Sequence, residues 1–279
     1  MRIVSARARV AGIAGWPVAH SRSPRIHGFW LDRHGIDGAY VPLPIEPASF
    51  VAAMRGLRAA GFAGANVTVP HKLAAFALCD RVDESARRAG AVNTLVFHPE
   101  RIEGSNTDGF GFLAGLRDEQ VNTNAGPALI LGAGGAARAV AAVLLDHGVP
   151  VSIANRTSER AAALARDLPG LRVVDWDARS AALGDHALLI NSTTLGMGGR
   201  GDPGLAFDRA NQALVVADLV YVPLETPLLA AARGHGLRTV DGLGMLLHQA
   251  RPGFAAWFGI DPSVDAALRA FVLADLPPV

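Results

Sequence analysis

Leu131-Gly132-Ala133-Gly134-Gly135-Ala136-Ala137-Arg138 follows the apolar run Ala128-Leu129-Ile130 and opens an alanine-rich stretch. A glycine-rich turn between a buried strand and a helix lets the chain reverse tightly and approach a pyrophosphate closely. The helix N-terminus then offers free N–H groups and the positive end of its dipole. Ala137 stands where the usual fingerprint has a third glycine, and it is small enough for close strand–helix packing. Such turns also occur for purely structural reasons, so alone this one only suggests a dinucleotide. The residues it would offer are Gly132, Ala133, Gly134, Gly135 and Ala136.

The next strand end sharpens the reading. Residues 151–154 run into Asn155-Arg156-Thr157-Ser158-Glu159-Arg160, which begins 23 residues after Gly132. An NAD site usually has Asp or Glu there to hold the ribose hydroxyls. Here Asn155 and Arg156 stand instead, with Arg160 a turn later. Guanidinium forks match phosphate oxygens, which favours the 2′-phosphate of NADP. A solvated loop with Thr157 capping a helix is the structural alternative, and the two roles are compatible.

The chain has 279 residues, half of them hydrophobic, enough for one or two domains with sizeable cores. Its formal net charge is +1 with no basic block, so nucleic acid is not an expected partner. One cysteine, Cys79, excludes an internal disulfide framework and a multi-cysteine zinc site, and fits a reducing cytoplasm. Arg2, Arg7 and Arg9 precede only a short apolar run ending at Pro17, which is a poor secretion signal. No run of about eighteen apolar residues predicts a membrane span. Among nine histidines there is no His-Glu-x-x-His pair, so no metal is expected, and His20, His27 and His34 read as incidental. The absence of a Gly-x-Ser-x-Gly elbow disfavours a serine hydrolase.

Strands and helices alternate. Residues 10–14, 40–45, 65–69 and 91–97 read as strands, and 24–34 and 50–60 as helices. Pro70 can open the helix after the third strand. Residues 107–116 read as a linking helix, and the polar segment 118–127 as a domain boundary. The pattern then restarts with strands at 128–131, 151–154, 172–174, 187–190, 214–217 and 238–240. Helices are expected at 136–147, 160–167, 224–233, 245–258 and 264–273. This predicts an α/β protein of two α/β domains: an N-terminal substrate domain with a mixed sheet, and a Rossmann-like NADP-binding domain.

A second stretch, Ala65-Asn66-Val67-Thr68-Val69-Pro70-His71-Lys72, carries polar groups and one lysine. Together with residues 15–24, Gly90-Ala91-Val92-Asn93-Thr94, Asn106-Thr107-Asp108-Gly109 and Asn191-Ser192-Thr193-Thr194 it resembles the shikimate dehydrogenase family. So do Gly132 to Arg138, Asn155-Arg156-Thr157, Tyr221 with Pro223 and Thr226, and Asp241-Gly242-Leu243-Gly244-Met245 with Gln249. These motifs span nearly the whole chain in order.

The resemblance implies reversible reduction of 3-dehydroshikimate to shikimate with NADPH, in aromatic amino-acid biosynthesis. It implies a substrate domain at 1–106, an NADP domain at 107–241, and C-terminal helices at 242–279 that pack back on the first domain. Ser21, Ser23, Asn66, Thr68 and Asn93 supply hydroxyl and amide groups suited to a ring with three hydroxyls and a carboxylate. By resemblance Ser21 and Ser23 hold the carboxylate, with Tyr221 nearby, and Gln249 touches substrate. Lys72 and Asp108 match the family's catalytic pair. Glu84, Leu219 and Gly242 fall near the cofactor, and Leu219 stands where many relatives have methionine.

Each assignment has a plain alternative. A lysine opening a helix is usually just exposed, although a cation there opposes the helix dipole. Asp108 could be an N-cap, and Gln249 a surface residue. Two other functions stay open: a quinate/shikimate dehydrogenase with wider substrate or NAD use, and a non-catalytic NADP-binding sensor. A homodimer is compatible with the sequence. Hydride transfer needs reacting atoms within about 3–3.5 Å. A hinge closure at the glycine-containing links near 106–109 and 240–244 is therefore expected.

Overall fold

The computed structural model describes residues 3–274; Arg2 and residues 275–279 of the expected C-terminal segment lie outside them. The chain divides into two compact units. One holds the chain up to Thr107 together with the segment from Leu247, and the other holds Asp108–Leu246.

The first unit contains the strands β1 (Arg9–Gly15), β2 (Gly38–Pro44), β3 (Gly64–Val67), β4 (Arg81–Val82), β5 (Thr94–Phe97) and β6 (Ile102–Ser105). They form one mixed sheet in the order β2-β1-β3-β5-β6-β4. β1 runs parallel to β2 and β3, and β5 runs antiparallel to both β3 and β6. Four helices accompany it: α1 (Ser23–Arg33), α2 (Phe50–Ala59), α3 (Lys72–Leu78) and α4 (Glu84–Ala89). α1 has Pro24 in its first turn and buries Ile26, His27, Trp30 and Leu31, one stripe at helical spacing. α4 is capped by Asp83, whose carboxylate accepts from the Ala86 N–H, and it ends at Gly90 with φ +58°.

The second unit holds α5 (Asp108–Asp118), β7 (Ala128–Leu131), α6 (Gly135–Asp146), β8 (Val151–Ala154), α7 (Ser158–Asp167) and β9 (Arg172–Val173). They are followed by β10 (Leu188–Asn191), β11 (Val215–Asp218), α8 (Pro227–Gly234) and β12 (Arg238–Val240). Its sheet is wholly parallel, ordered β12-β11-β10-β7-β8-β9. β7, β8 and β10 are buried along their whole length, as strands of a parallel sheet covered on both faces are. The strand order reverses between β7 and β10, the switch point where ligands bind in such sheets.

α9 (Leu243–Phe258) starts in the second unit and continues into the first, where α10 (Ala266–Leu273) follows. Phe254 and Trp257 of α9 join His27, Trp30 and Tyr40 in one aromatic cluster.

Several expectations change. The segment 118–127 lies inside the second unit, between α5 and β7, and the division falls at Thr107–Asp108. The reason is packing: Phe112 and Leu116 of α5 are buried with Val140 and Leu144 of α6. Pro70 does not open a helix; it sits in a turn after a cis peptide, and α3 begins at Lys72. The strand expected at 91–97 is shorter, starting at Thr94, and the structure adds α4, β4 and β6. No helix among the described residues is long and apolar enough to cross a membrane.

Candidate active site

In the first unit the polar residues gather at the C-terminal ends of β1 and β3. Gly15 closes β1, and a Cβ there would fall 2.6 Å from the Thr68 methyl, so glycine lets the two strand ends converge. Backbone bonds knit them: Thr68 N–H donates to Ala14 O at 2.9 Å, and Trp16 N–H to Val69 O at 3.1 Å. Ser21 and Ser23 lie just before and at the start of α1, both half-buried, and the Ser23 N–H donates to the Ser21 hydroxyl at 3.3 Å.

Lys72 is presented by its neighbour. His71 is buried, its Nε2 lies 2.8 Å from Ile45 O, and its ring stacks on Phe50 with centroids 4.5 Å apart. That anchor fixes the start of α3, where Lys72 is half-buried and its carbonyl accepts from Val92 N–H at 3.1 Å. The same bond brings in the Val92-Asn93-Thr94 segment.

Asn93 is buried, and its Oδ1 accepts from Thr107 N–H at 2.9 Å and from the Thr94 hydroxyl at 3.0 Å. Thr107 donates its own hydroxyl to Gln249 O at 2.8 Å. Asn66 donates to Asn93 O at 3.2 Å and to the Thr94 hydroxyl at 3.1 Å, and accepts from the Tyr40 hydroxyl at 2.6 Å. Asn66, Asn93 and the backbone of Gln249 therefore belong to one network. Glu84 also lies on this unit, exposed at the start of α4 and paired with Arg87.

The second unit carries the glycine turn. Gly132 has φ +101°, and a Cβ there would lie 2.8 Å from the Ser192 hydroxyl, so only glycine suits the position. Ser192 donates that hydroxyl to Leu131 O at 2.6 Å and ties β10 to the turn. α6 then begins at Gly135 with Gly134 at its N-cap and no side-chain cap. A Cβ on Gly134 or Gly135 would meet nothing within 4 Å, whereas Ala137 is fully buried. An uncapped helix N-terminus of full length facing open space fits a pyrophosphate.

Arg156, Thr157 and Arg160 are exposed beyond β8, the strand beside β7. Neither arginine has a partner among the described residues, so both forks are available to a phosphate. Thr157 sits at the N-cap of α7, but its side chain makes no capping bond; Asn155 instead donates to Thr157 O at 2.8 Å. The anticipated cap therefore exists in position only.

Leu219 and Gly242 line a small recess with Ala217, Asp218 and Met245. A Cβ on Gly242 would come within 2.5 Å of Leu219 O. Tyr221 follows β11, and Asp108 is a buried residue opening α5.

Three residues escaped the sequence reading. Asp218 is buried at the end of β11, where its carboxylate accepts from Asn191 Nδ2, Val220 N–H and the Thr226 hydroxyl at 2.7–3.0 Å. Burial pushes its pKa up, and those three donors oppose the shift. Its signal was a lone acid ending an apolar run. Tyr40 is held well above the usual phenol range by burial, with the Ser23 hydroxyl acting the other way. His27, read as incidental, is fully buried and stacks on Tyr40 at 3.9 Å. Burial drives its pKa down to about 3, and Asn66 beside it offsets this only in part.

Residues 13–95 match the shikimate dehydrogenase substrate binding domain family. Residues 116–195 match the shikimate / quinate 5-dehydrogenase family, and 242–270 the shikimate 5'-dehydrogenase C-terminal domain. A shikimate dehydrogenase (NADP(+)) of Acidiphilium cryptum is 66% identical over 274 residues, covering 98% of this chain and 99% of its own. One from Rhodospirillum rubrum is 55% identical over 280 residues, covering 97% and 99%. The solved shikimate 5-dehydrogenase of Thermus thermophilus, in complex with NADP(H) and shikimate, is 37% identical. It superposes with a TM-score of 0.88 over 95% of this chain and 99% of that one. With this glycine turn, these unpartnered arginines and this polar cluster, the chain belongs to the shikimate dehydrogenase family.

Proposed function

We propose that this protein catalyses the reversible, NADPH-dependent reduction of 3-dehydroshikimate to shikimate, in the cytoplasm. The observation that carries the reading is the uncapped start of α6 behind Gly134 and Gly135, beside two unpartnered arginines. The substrate unit is the first, and the NADP unit the second, with C-terminal helices completing the substrate unit.

Ser21 and Ser23 bind the carboxylate, with Tyr221 as a third contact. Asn66, Thr68, Asn93 and Gln249 bind ring hydroxyls. Gly132, Ala133, Gly134, Gly135 and Ala136 hold the pyrophosphate, while Asn155, Arg156, Thr157 and Arg160 hold the adenosine end and its 2′-phosphate. Glu84, Leu219 and Gly242 lie toward the nicotinamide. When bound, NADPH supplies the hydride that the substrate's carbonyl carbon accepts. Lys72 gives a proton to the oxygen that becomes the hydroxyl, and takes it back in the oxidative direction. Asp108 works with Lys72 as its acid–base partner.

Initial rates of the purified protein with shikimate or quinate, each with NADP or NAD, test the proposal. Shikimate with NADP should be the preferred pair. No turnover of that pair, or a preference for quinate with NAD, overturns it.

A further inference from the structure

Leu131, Asn191 and Asp218 end the adjacent strands β7, β10 and β11 and stand in one register row across the parallel sheet. Side chains join the loops that leave this row. Ser192 donates its hydroxyl to Leu131 O at 2.6 Å, at the glycine turn. Asn191 turns its Oδ1 to Thr193 N–H at 3.1 Å, a backbone group that can only donate. Its Nδ2 therefore faces the other way and donates to Leu195 O at 3.1 Å and to Asp218 Oδ1 at 2.9 Å.

Asp218 closes the loop that follows it. Its Oδ1 also accepts from Val220 N–H at 3.0 Å, and its Oδ2 accepts from the Thr226 hydroxyl at 2.7 Å, so the loop is gripped at its start and its end. Thr226 is the N-cap of α8, and its oxygen accepts from Leu229 N–H at 3.3 Å. Leu219 is pinned inside this clamp. Its N–H donates to Asn191 O at 2.9 Å, and its carbonyl packs against Gly242, where a Cβ would fall 2.5 Å away. Asp218 and Thr226 are both buried, and the donors that oppose burial at the carboxylate are all uncharged. Burying a carboxylate without a cation costs stability, so cohesion alone does not account for an acid at this strand end.

We propose that Asp218 is a positioning residue for hydride transfer: through Asn191, Val220 and Thr226 it holds Leu219, the wall toward the nicotinamide, at a fixed place relative to the glycine turn that takes the pyrophosphate. The inference rests on the NADP-dependent reaction proposed above. The row of strand ends sets the spacing of the two loops, and the carboxylate keeps the second loop from swinging away from it.

The test exploits the number of acceptors. Asp218 takes three donors, whereas an amide oxygen has two lone pairs, so Asp218→Asn must lose at least one bond at nearly constant shape. kcat for shikimate with NADP should fall about ten- to a hundredfold, since a misplacement of about 1 Å can cost about 10² in rate. By calorimetric titration, Kd for NADP should rise about two- to tenfold, the worth of one neutral hydrogen bond. Kd for adenosine 2′,5′-bisphosphate, which carries the 2′-phosphate but no nicotinamide, should stay within about twofold. If Asp218→Asn does not fold, Thr226→Val removes the clamp at its far end and should act the same way. Thr226→Ser keeps the hydroxyl and should recover the parent kcat.

A lower Tm in Asp218→Asn or Thr226→Val, with kcat and both affinities like the parent's, makes the clamp merely structural and overturns the proposal. So does an equal loss of affinity for NADP and for the bisphosphate, which would mean that Asp218 supports the whole cofactor unit. If the unaltered protein binds NADP but does not turn over shikimate, the proposed reaction fails, and the two affinities still decide the role of Asp218. If it binds neither NADP nor the bisphosphate, both fall.

Discussion

The indole N–H of Trp257 donates to Leu95 O at 2.9 Å through the space left by Gly64. A Cβ on Gly64 would lie 2.1 Å from both atoms. Gly64→Ala should therefore expel the indole, costing about 2–4 kcal/mol from overpacking and the lost bond. Scanning calorimetry should show a Tm lower by about 5–10 °C. An unchanged Tm would mean that the indole does not seat on that strand.

Arg156→Ala should weaken NADP more than NAD. A charge-assisted bond is worth about 1.5–3 kcal/mol, so the NADP preference should fall roughly 10- to 150-fold. The ratio of kcat/KM values with the two cofactors measures it. Equal relative kinetics in the variant and the parent would remove Arg156 from the site.

Lys72→Ala should lower kcat by about 10²–10⁴, the usual worth of a general acid–base group. Shikimate affinity should change far less, because hydroxyl and amide groups hold the ring. Asp108→Asn should also be slow, and the double variant should lose less than the two losses combined. Single-turnover rates isolate the chemical step, and a near-normal rate for Lys72→Ala would refute its role.

His27 makes the fold sensitive to acid. Its folded-state pKa of about 3 lies below the ordinary 6.5, so the unfolded chain takes up the proton first. The stability tied to neutral His27 is complete above pH 6.5 and is lost as pH falls toward 3. The slope approaches about 1.4 kcal/mol per pH unit within that window. His27→Phe keeps a stacking ring without a titrating group, so it should flatten this part of the curve. Urea unfolding at pH 7 and pH 5 decides the matter: equal pH slopes for parent and variant would exclude His27 as the cause.

The second unit was legible because β7, β8, β10 and β11 are mostly apolar, buried runs; β7 and β8 fall where the pattern placed them, and so does the short β12. In the first unit β4 has two residues, and β6 reads Ile-Glu-Gly-Ser, too short and too polar to announce itself. α4 is six residues long and becomes recognisable only through its Asp83 and Gly90 caps. Residues of the polar cluster could be named from local motifs. Tyr40 and His27 could not, because their roles arise from β2, β1 and β3 lying side by side and from α1 packing its His27 ring on Tyr40, contacts no local stretch encodes.

The discontinuity of the first unit has a consequence for biosynthesis. Phe254 and Trp257 cover its aromatic face, yet they are translated after the whole of Asp108–Leu246. The ribosome therefore delivers a sheet whose Gly64 groove and His27–Trp30–Tyr40 surface stay bare while roughly 140 further residues are made. At about 5–20 residues per second that interval is on the order of ten seconds. The unit begun second can be completed first, and the nascent chain carries a sticky aromatic surface for chaperones to shield until its last helices emerge.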